Sequence, residues 1–280
     1  GTISGAAVRK KLLDQEKGSY LKKWTGRLPV ALFYPNTYRV GMSSLGFQIV
    51  YQLLNQDDRI VCERVFLPDS GDGPLVSMES GRVPGDFPVL FISVSFEHDY
   101  VNVARILLSS AIEPFAERRE KTISKTSPLV VIGGVATFMN PEPFAPFADL
   151  VMVGEAEPLM THLVDMLCRQ GALLDREKIL HELNASGEGF YSPALYEVNY
   201  AQNGYFSGIR PREGLPGRIK RSYLKTRDQA GHSELLSPET EFADLYLTEL
   251  GRGCSRGCRF CTAGFIYRPP RLWESEAVLQ

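Results

Sequence analysis

The chain has 280 residues and a net charge of −2, which allows one to two domains and gives no electrostatic case for nucleic-acid binding. Hydrophobic residues make up 44% and charged residues 23%, the balance of a soluble globular protein, and no apolar run approaches membrane-spanning length. Five cysteines are an odd count and no secretory leader is expected, so reduced thiols and a cytoplasmic location are expected as well.

Residues 1–27 read as an N-terminal helical segment, with a helix over 8–24 carrying Val8, Leu12, Leu13, Tyr20, Leu21 and Trp24. Short apolar runs then alternate with helical patterns. The runs at 28–34, 60–67, 89–96, 129–132 and 150–153 read as buried strands. Residues 44–54 place Leu45, Ile49, Val50, Leu53 and Leu54 at helical spacing. After the third strand a helix presents Val101, Ala104, Leu108 and Ala111, and after the fifth another presents Leu159, Leu163, Met166 and Leu167. Such alternation predicts an α/β fold, a flavodoxin-like doubly wound parallel sheet over residues 28–170.

Residues 171–236 change character and read as a linker region with short strands at 195–200, 205–209 and 219–225. The basic run from Arg210 to Arg227 reads as solvated surface. A second domain is expected over 237–280, opening with a strand at 244–250 that feeds a cysteine-bearing loop. About twenty residues follow that loop, whereas a (β/α) barrel takes roughly 200, so the sequence reads as the start of a truncated barrel.

The loop is Gly251-Arg252-Gly253-Cys254-Ser255-Arg256-Gly257-Cys258-Arg259-Phe260-Cys261, with spacing C-x₃-C-x₂-C. Three thiolates on one short loop suit three irons of a [4Fe–4S] cluster, whose fourth iron then stays open to a substrate-like molecule; electron-transfer ferredoxins close all four positions with cysteine. Structural zinc normally needs a fourth N or S ligand, and no Cys or His follows Cys261. A disulfide and unrelated buried thiols are the remaining alternatives. Gly251, Gly253 and Gly257 permit tight turns, and Arg252, Arg256 and Arg259 are expected to lower the thiol pKa values. Phe260 is placed to shield a cluster or touch an adenine. Cys62 and Cys168 read as core residues.

From Glu249-Leu250-Gly251-Arg252-Gly253-Cys254 through Cys261 and on to Pro269, the sequence resembles the radical S-adenosylmethionine (radical SAM) proteins, in particular the uncharacterised ones with an N-terminal cobalamin-binding-like domain. The resemblance runs from about Leu28 onward. It implies that Cys254, Cys258 and Cys261 ligate the cluster. It also implies that S-adenosylmethionine chelates the fourth iron through its amino and carboxylate groups, and that reductive cleavage gives a 5′-deoxyadenosyl radical. A reducing donor such as flavodoxin or ferredoxin is implied as partner. The substrate is not readable, and this portion alone is expected to be inactive.

Relatives with cobalamin carry D-x-H-x-x-G after the first strand, where this chain has Asn36-Thr37-Tyr38-Arg39-Val40-Gly41. Tyr38 thus stands in the slot of the cobalt-binding histidine. Ser93 and Ser95 fall on the family's S-x-L, and Gly133 and Gly134 on its G-G. Gly154 and Glu155 open Gly154-Glu155-Ala156-Glu157, which resembles a G-E-G-E of related proteins. Gly41, Gly133 and Gly134 are where a nucleotide tail and backbone are expected to meet. Glu155 and Glu157 equally suit a helix start, and His98 and Asp99 a helix-capping loop. Two readings stay open: a radical SAM enzyme of the methyl or methylthio transferase kind using cobalamin, or a degenerate domain serving as a binding platform without it.

Overall fold

The computed structural model describes residues 5–69, 71, 73–169 and 174–279. Helix α1 (Gly5–Gln15) opens the chain. It stops well short of residue 24; Gly18 takes a positive φ of 91°, and Lys17 forms an antiparallel bridge with Leu236 instead of continuing the helix.

Strand β1 (Leu28–Thr37) leads into α2 (Tyr38–Met42) and α3 (Leu45–Gln56), and β2 (Ile60–Leu67) follows. Next come β3 (Val89–Ser93), α4 (Tyr100–Ser109), β4 (Thr122–Ile123), β5 (Leu129–Gly133) and α5 (Val135–Met139). The domain continues with β6 (Leu150–Met152), α6 (Glu157–Arg169), β7 (Leu174–Asp175), α7 (Arg176–Ala185) and β8 (Phe190–Tyr191). The main sheet has six strands in the order β2-β1-β3-β5-β6-β8, all parallel except the last pairing. This is the α/β architecture with a mostly parallel sheet that the alternating pattern implied.

Val30, Ala31 and Leu32 of β1 and Val89 and Leu90 of β3 are fully buried, because helices cover both faces of a parallel sheet. Each large side chain sequestered there contributes about 1.5–3 kcal/mol. Ser44 caps α3 by accepting from the Phe47 amide, and Phe47, Tyr51 and Leu54 face the core. In α6 the buried set includes the expected Leu159, Leu163, Met166 and Leu167. In α4 it is Val103, Ile106 and Leu107 that are buried, while Val101 and Leu108 are exposed. The expected stripe lies on the wrong side by about a third of a turn, and Ala111 lies beyond the helix with a φ of 55°.

The segment read as linker is partly built into the domain. It supplies β8 and α7, and Asp175 caps α7 by accepting from the Lys178 amide. It then forms the ribbon β9 (Tyr196–Tyr200) and β10 (Phe206–Pro211), close to the expected strands. Residues 219–225 form only single bridges, Lys220 with Glu188 and Ser222 with Gly154. The expected strand at 244–250 is absent. Asp244 has a φ of 59°, Phe242 and Leu245 are exposed, and the only pairing is a bridge from Thr248 to His232. The cysteine loop instead leaves the two-residue β11 (Gly251–Arg252), which pairs with β12 (Arg271–Leu272). Short helices α8 (Ala263–Ile266) and α9 (Ser275–Leu279) lie in this last portion. Among the described residues, no helix is long and apolar enough to cross a membrane.

Buried charge networks tie flanking segments to the sheet. Arg64, fully buried on edge strand β2, donates to Glu16 at 2.7 and 2.9 Å and to Glu79 at 2.7 Å, with the Tyr51 ring 4.7 Å from its guanidinium carbon. Inward-pointing charge and a covering segment are how natural sheets blunt an edge. Asp149, before β6, accepts from Arg119 at 2.9 Å and from the Val130 amide at 2.7 Å, and Arg176 lies 2.8 Å away.

Candidate functional site

At the C-terminal edge of the sheet the chain winds from β1 to β2 on one side and to β3 on the other. Ligands of doubly wound sheets bind at this reversal. Here it opens into a cavity of about 280 Å³ lined by Ser44, Ser93, Ser95, Gly134, Glu157 and Arg252, among others. Beneath it lies a smaller apolar recess of about 40 Å³ between Leu32, Phe91, Met152 and Met160.

The roof is the base of the cysteine loop. Gly253 has a φ of 94°, and a Cβ there would sit 2.1 Å from the Tyr267 carbonyl oxygen, so the chain can turn at this point only as glycine. Cys254 and Cys258 are exposed and Cys261 is half-buried; all three are free thiols. The Cys261 amide donates to the Cys258 carbonyl at 3.1 Å. Among the described residues, no three His, Cys, Asp or Glu side chains are drawn together in metal-binding geometry. The donor set itself, three accessible soft thiols on one short loop, suits an iron–sulfur cluster. Phe260 is 91% exposed and stands outside the cavity lining.

Arg252 is engaged by acidic side chains. Its guanidinium is held by three carboxylates: Glu155 at 3.0 Å, Glu249 at 2.9 Å and Glu157 through a short bidentate contact. Arg271, nineteen positions further on, pairs with Glu155 and donates to the Leu224 carbonyl at 2.6 Å. The Leu224 amide donates to Glu155 at 2.8 Å. Trp273 lies against both arginines, 5.4 and 5.8 Å from their guanidinium carbons. Burial alone would raise the Glu155 carboxyl; hydrogen bonds from Arg271 and Leu224 and the charge of Arg252 outweigh it and hold it below the usual range. For Arg252 the carboxylates outweigh the desolvation and push its pKa up.

The residues expected to cradle a cofactor divide into two groups. Ser93, Ser95, Gly134, Gly154 and Glu155 line the cavity, and Gly133 borders the recess. Their glycines serve backbone packing: a Cβ at Gly134 would meet the Val94 carbonyl oxygen at 2.3 Å, and one at Gly154 the Ser222 oxygen at 2.2 Å. Asn36, Tyr38 and Gly41 do not line the cavity. Tyr38 is only 8% exposed, and its hydroxyl donates to Glu16 at 2.7 Å and meets Ser237 at 2.8 Å. Burial and the Glu16 charge push its phenol up. Gly41 faces the Phe66 ring, where a Cβ would clash at 2.4 Å. Asn36 donates to Asp99 at 3.2 Å. Asp99 makes no side-chain cap on α4: its backbone is already helical, with φ −84° and ψ −2°, and Asn36 and Asn102 both donate to one of its oxygens.

Sequence reasoning missed Arg271, Trp273 and Glu249 as partners of the site. Arg271 reaches Glu155 across 116 positions, a separation that no local pattern marks, and Trp273 joins the site only through the two arginines. Glu249 meets Arg252 three positions away, but its pairing has no meaning until Arg252 is seen to turn towards the first domain.

Fold and site together define an α/β domain with a mostly parallel sheet and a three-cysteine loop fastened over the cavity at the sheet's C-terminal edge. Residues 46–193 match the family of radical SAM proteins, N-terminal, and the chain belongs to that family. It is also 28% identical over 247 residues to an uncharacterised protein of Methanocaldococcus jannaschii, covering 87% of this chain and 43% of that protein. The chain therefore spans less than half the length of this relative.

Proposed function

We propose that in the whole protein Cys254, Cys258 and Cys261 hold three irons of a [4Fe–4S] cluster, making it a radical SAM enzyme. The observation that carries this reading is a loop of three free, accessible thiols, turned by Gly253 and Gly257, whose base is fastened to a domain of the radical SAM N-terminal family. When bound, such a cluster supplies the electron that cleaves S-adenosylmethionine. The chain's own contribution is to carry the thiols on one short loop and to hold the base of that loop through Arg252 and Arg271. Anaerobically reconstituted full-length protein is expected to release 5′-deoxyadenosine from S-adenosylmethionine under reduction, and Cys254→Ala, Cys258→Ala or Cys261→Ala to stop it. Undiminished release by any one of these variants would refute the ligand assignment.

The first domain acts in this proposal as a platform and not as a cobalamin carrier. Tyr38 and Gly41, which stand where cobalt-binding relatives place histidine and glycine, are packed into the core. The cavity of about 280 Å³ falls below the roughly 300–1,000 Å³ of ordinary small-molecule sites, and a corrinoid needs more. Anaerobic incubation with hydroxocobalamin followed by gel filtration is expected to leave no cobalt on the protein. Stoichiometric retention of cobalt contradicts the platform reading.

A further inference from the structure

Two arginines that flank the cysteine loop, one on each strand of its base, converge on Glu155 of the first domain, and one of them also takes Glu157. Arg252 stands two residues before Cys254 and contacts Glu155 at 3.0 Å and Glu157 bidentately. Arg271 follows the loop and contacts Glu155. Their strands pair through only two residue positions, Gly251 with Leu272 and Arg252 with Arg271. So short a ribbon has little stability of its own. Of the residues around it, Leu250, Phe260 and Leu272 are exposed, whereas Trp273 is buried against both guanidinium groups. Beside that ring and the contact of Tyr267 with Phe138, the loop is attached to the first domain through the carboxylates. These are supported from below: Gly154 packs against Ser222, whose amide donates to Val153 at 3.0 Å, and the Glu155 amide donates to the Ser222 carbonyl at 3.0 Å.

We propose that Glu155 and Glu157 form a clamp, a positioning device through which the first domain sets the place and order of the cysteine loop. The functional half of this proposal rests on the cluster reading above. Arg252, Arg271, Glu155 and Glu157 are positioning residues: they act through the backbone that carries the thiols. Planar guanidinium forks suit such a role, since they fix direction as well as distance. Groups of this kind around a metal centre typically govern its affinity by about ten- to a hundredfold.

The first test uses the metal-free 280-residue chain. Amide hydrogen exchange is measured in Glu155→Gln, Glu157→Gln and Arg252→Lys, with the melting temperature as a check on folding. The clamp predicts at least about tenfold faster exchange at residues 251–253 and 271–273, with β1 and β3 unchanged. Arg252→Lys, which keeps the charge and loses the fork, is expected to fall between wild type and Glu157→Gln. Unchanged exchange at 251–253 in both glutamine variants, or acceleration spread evenly over the sheet, overturns the clamp. Should Glu155→Gln fail to fold, Glu157→Gln decides alone, since its side chain is partly exposed.

The second test uses reconstituted full-length protein and follows iron loss to a chelator. The clamp variants are expected to lose iron about tenfold faster than wild type, and equal rates overturn the functional half. If wild type takes up no iron, the cluster reading falls and the functional half with it, while the exchange measurement still decides whether the clamp exists.

Discussion

Arg64 is a fully buried cation placed on an edge strand, and its two glutamate partners come from segments 48 and 15 positions away. Removing it would strand Glu16 and Glu79 in the interior. Breaking one side of a buried pair typically costs about 3–5 kcal/mol, so Arg64→Met is expected to lower the urea midpoint by a corresponding amount, measured by circular dichroism. Glu16 gives this network a pH signature. Burial raises its carboxyl, and the Arg64 charge and hydrogen bonds outweigh burial, so its pKa in the folded protein lies below the ordinary 4.5. A depressed carboxyl contributes stability that is present above its unfolded pKa and lost as pH falls through the folded one. Glu79 titrates in the opposite sense, since burial pushes it up. Comparison of wild type with Glu16→Gln isolates the Glu16 part: their stability gap is expected to narrow as pH falls from the ordinary 4.5 through the lower folded-state pKa, and a constant gap counts against it. The sequence displayed Tyr38 and Gly41 as a worn cofactor motif. It did not display their packing against Glu16 and Phe66, because a core contact leaves no local trace.

Strands β1, β2, β3, β5 and β6 were legible because parallel strands buried on both faces read as unbroken apolar runs. Strand β8 was not, since two residues carry no period. The segment 244–250 failed for the opposite reason. Phe242, Leu245 and Leu247 suggest alternation, but a strand also needs a continuous neighbour, and here the pairing amounts to a single bridge between Thr248 and His232. In α4 two apolar stripes compete, and the one with Ile106 and Leu107 buries more surface than the one with Val101 and Leu108. The turn after β5 offers a sharp test at this scale. Gly134 has a φ of 104° and its missing Cβ would overlap the Val94 backbone. Gly134→Ala is expected to destabilise by more than about 2 kcal/mol, since strain and overlap act together, as seen by thermal melting. Gly46→Ala in α3, where nothing lies within 4 Å, is expected to be neutral or slightly stabilising.

For the whole molecule, the sheet alone does not mark the limits of the stable unit. Glu16 lies before residue 28, while Arg176, α7 and β8 lie after residue 170. A chain of residues 28–170 would leave Arg64 without Glu16 and Asp149 without Arg176. It is expected to show a lower urea midpoint than a chain of residues 5–195, and equal midpoints would show these ties to be dispensable. The cysteine spacing announced the thiol loop by itself, because ligand spacing on a short loop is local. Its fastening to Glu155 and Glu157 was hidden by 95 to 116 intervening positions. The central claim is that those thiols carry a cluster with one open iron. Metal and sulfide analysis of the anaerobically reconstituted full-length protein, alongside its triple cysteine-to-alanine variant, tests it most directly. The account predicts about four iron and four sulfide per chain, absent from the variant. One zinc per chain, or iron retained by the variant, would contradict it.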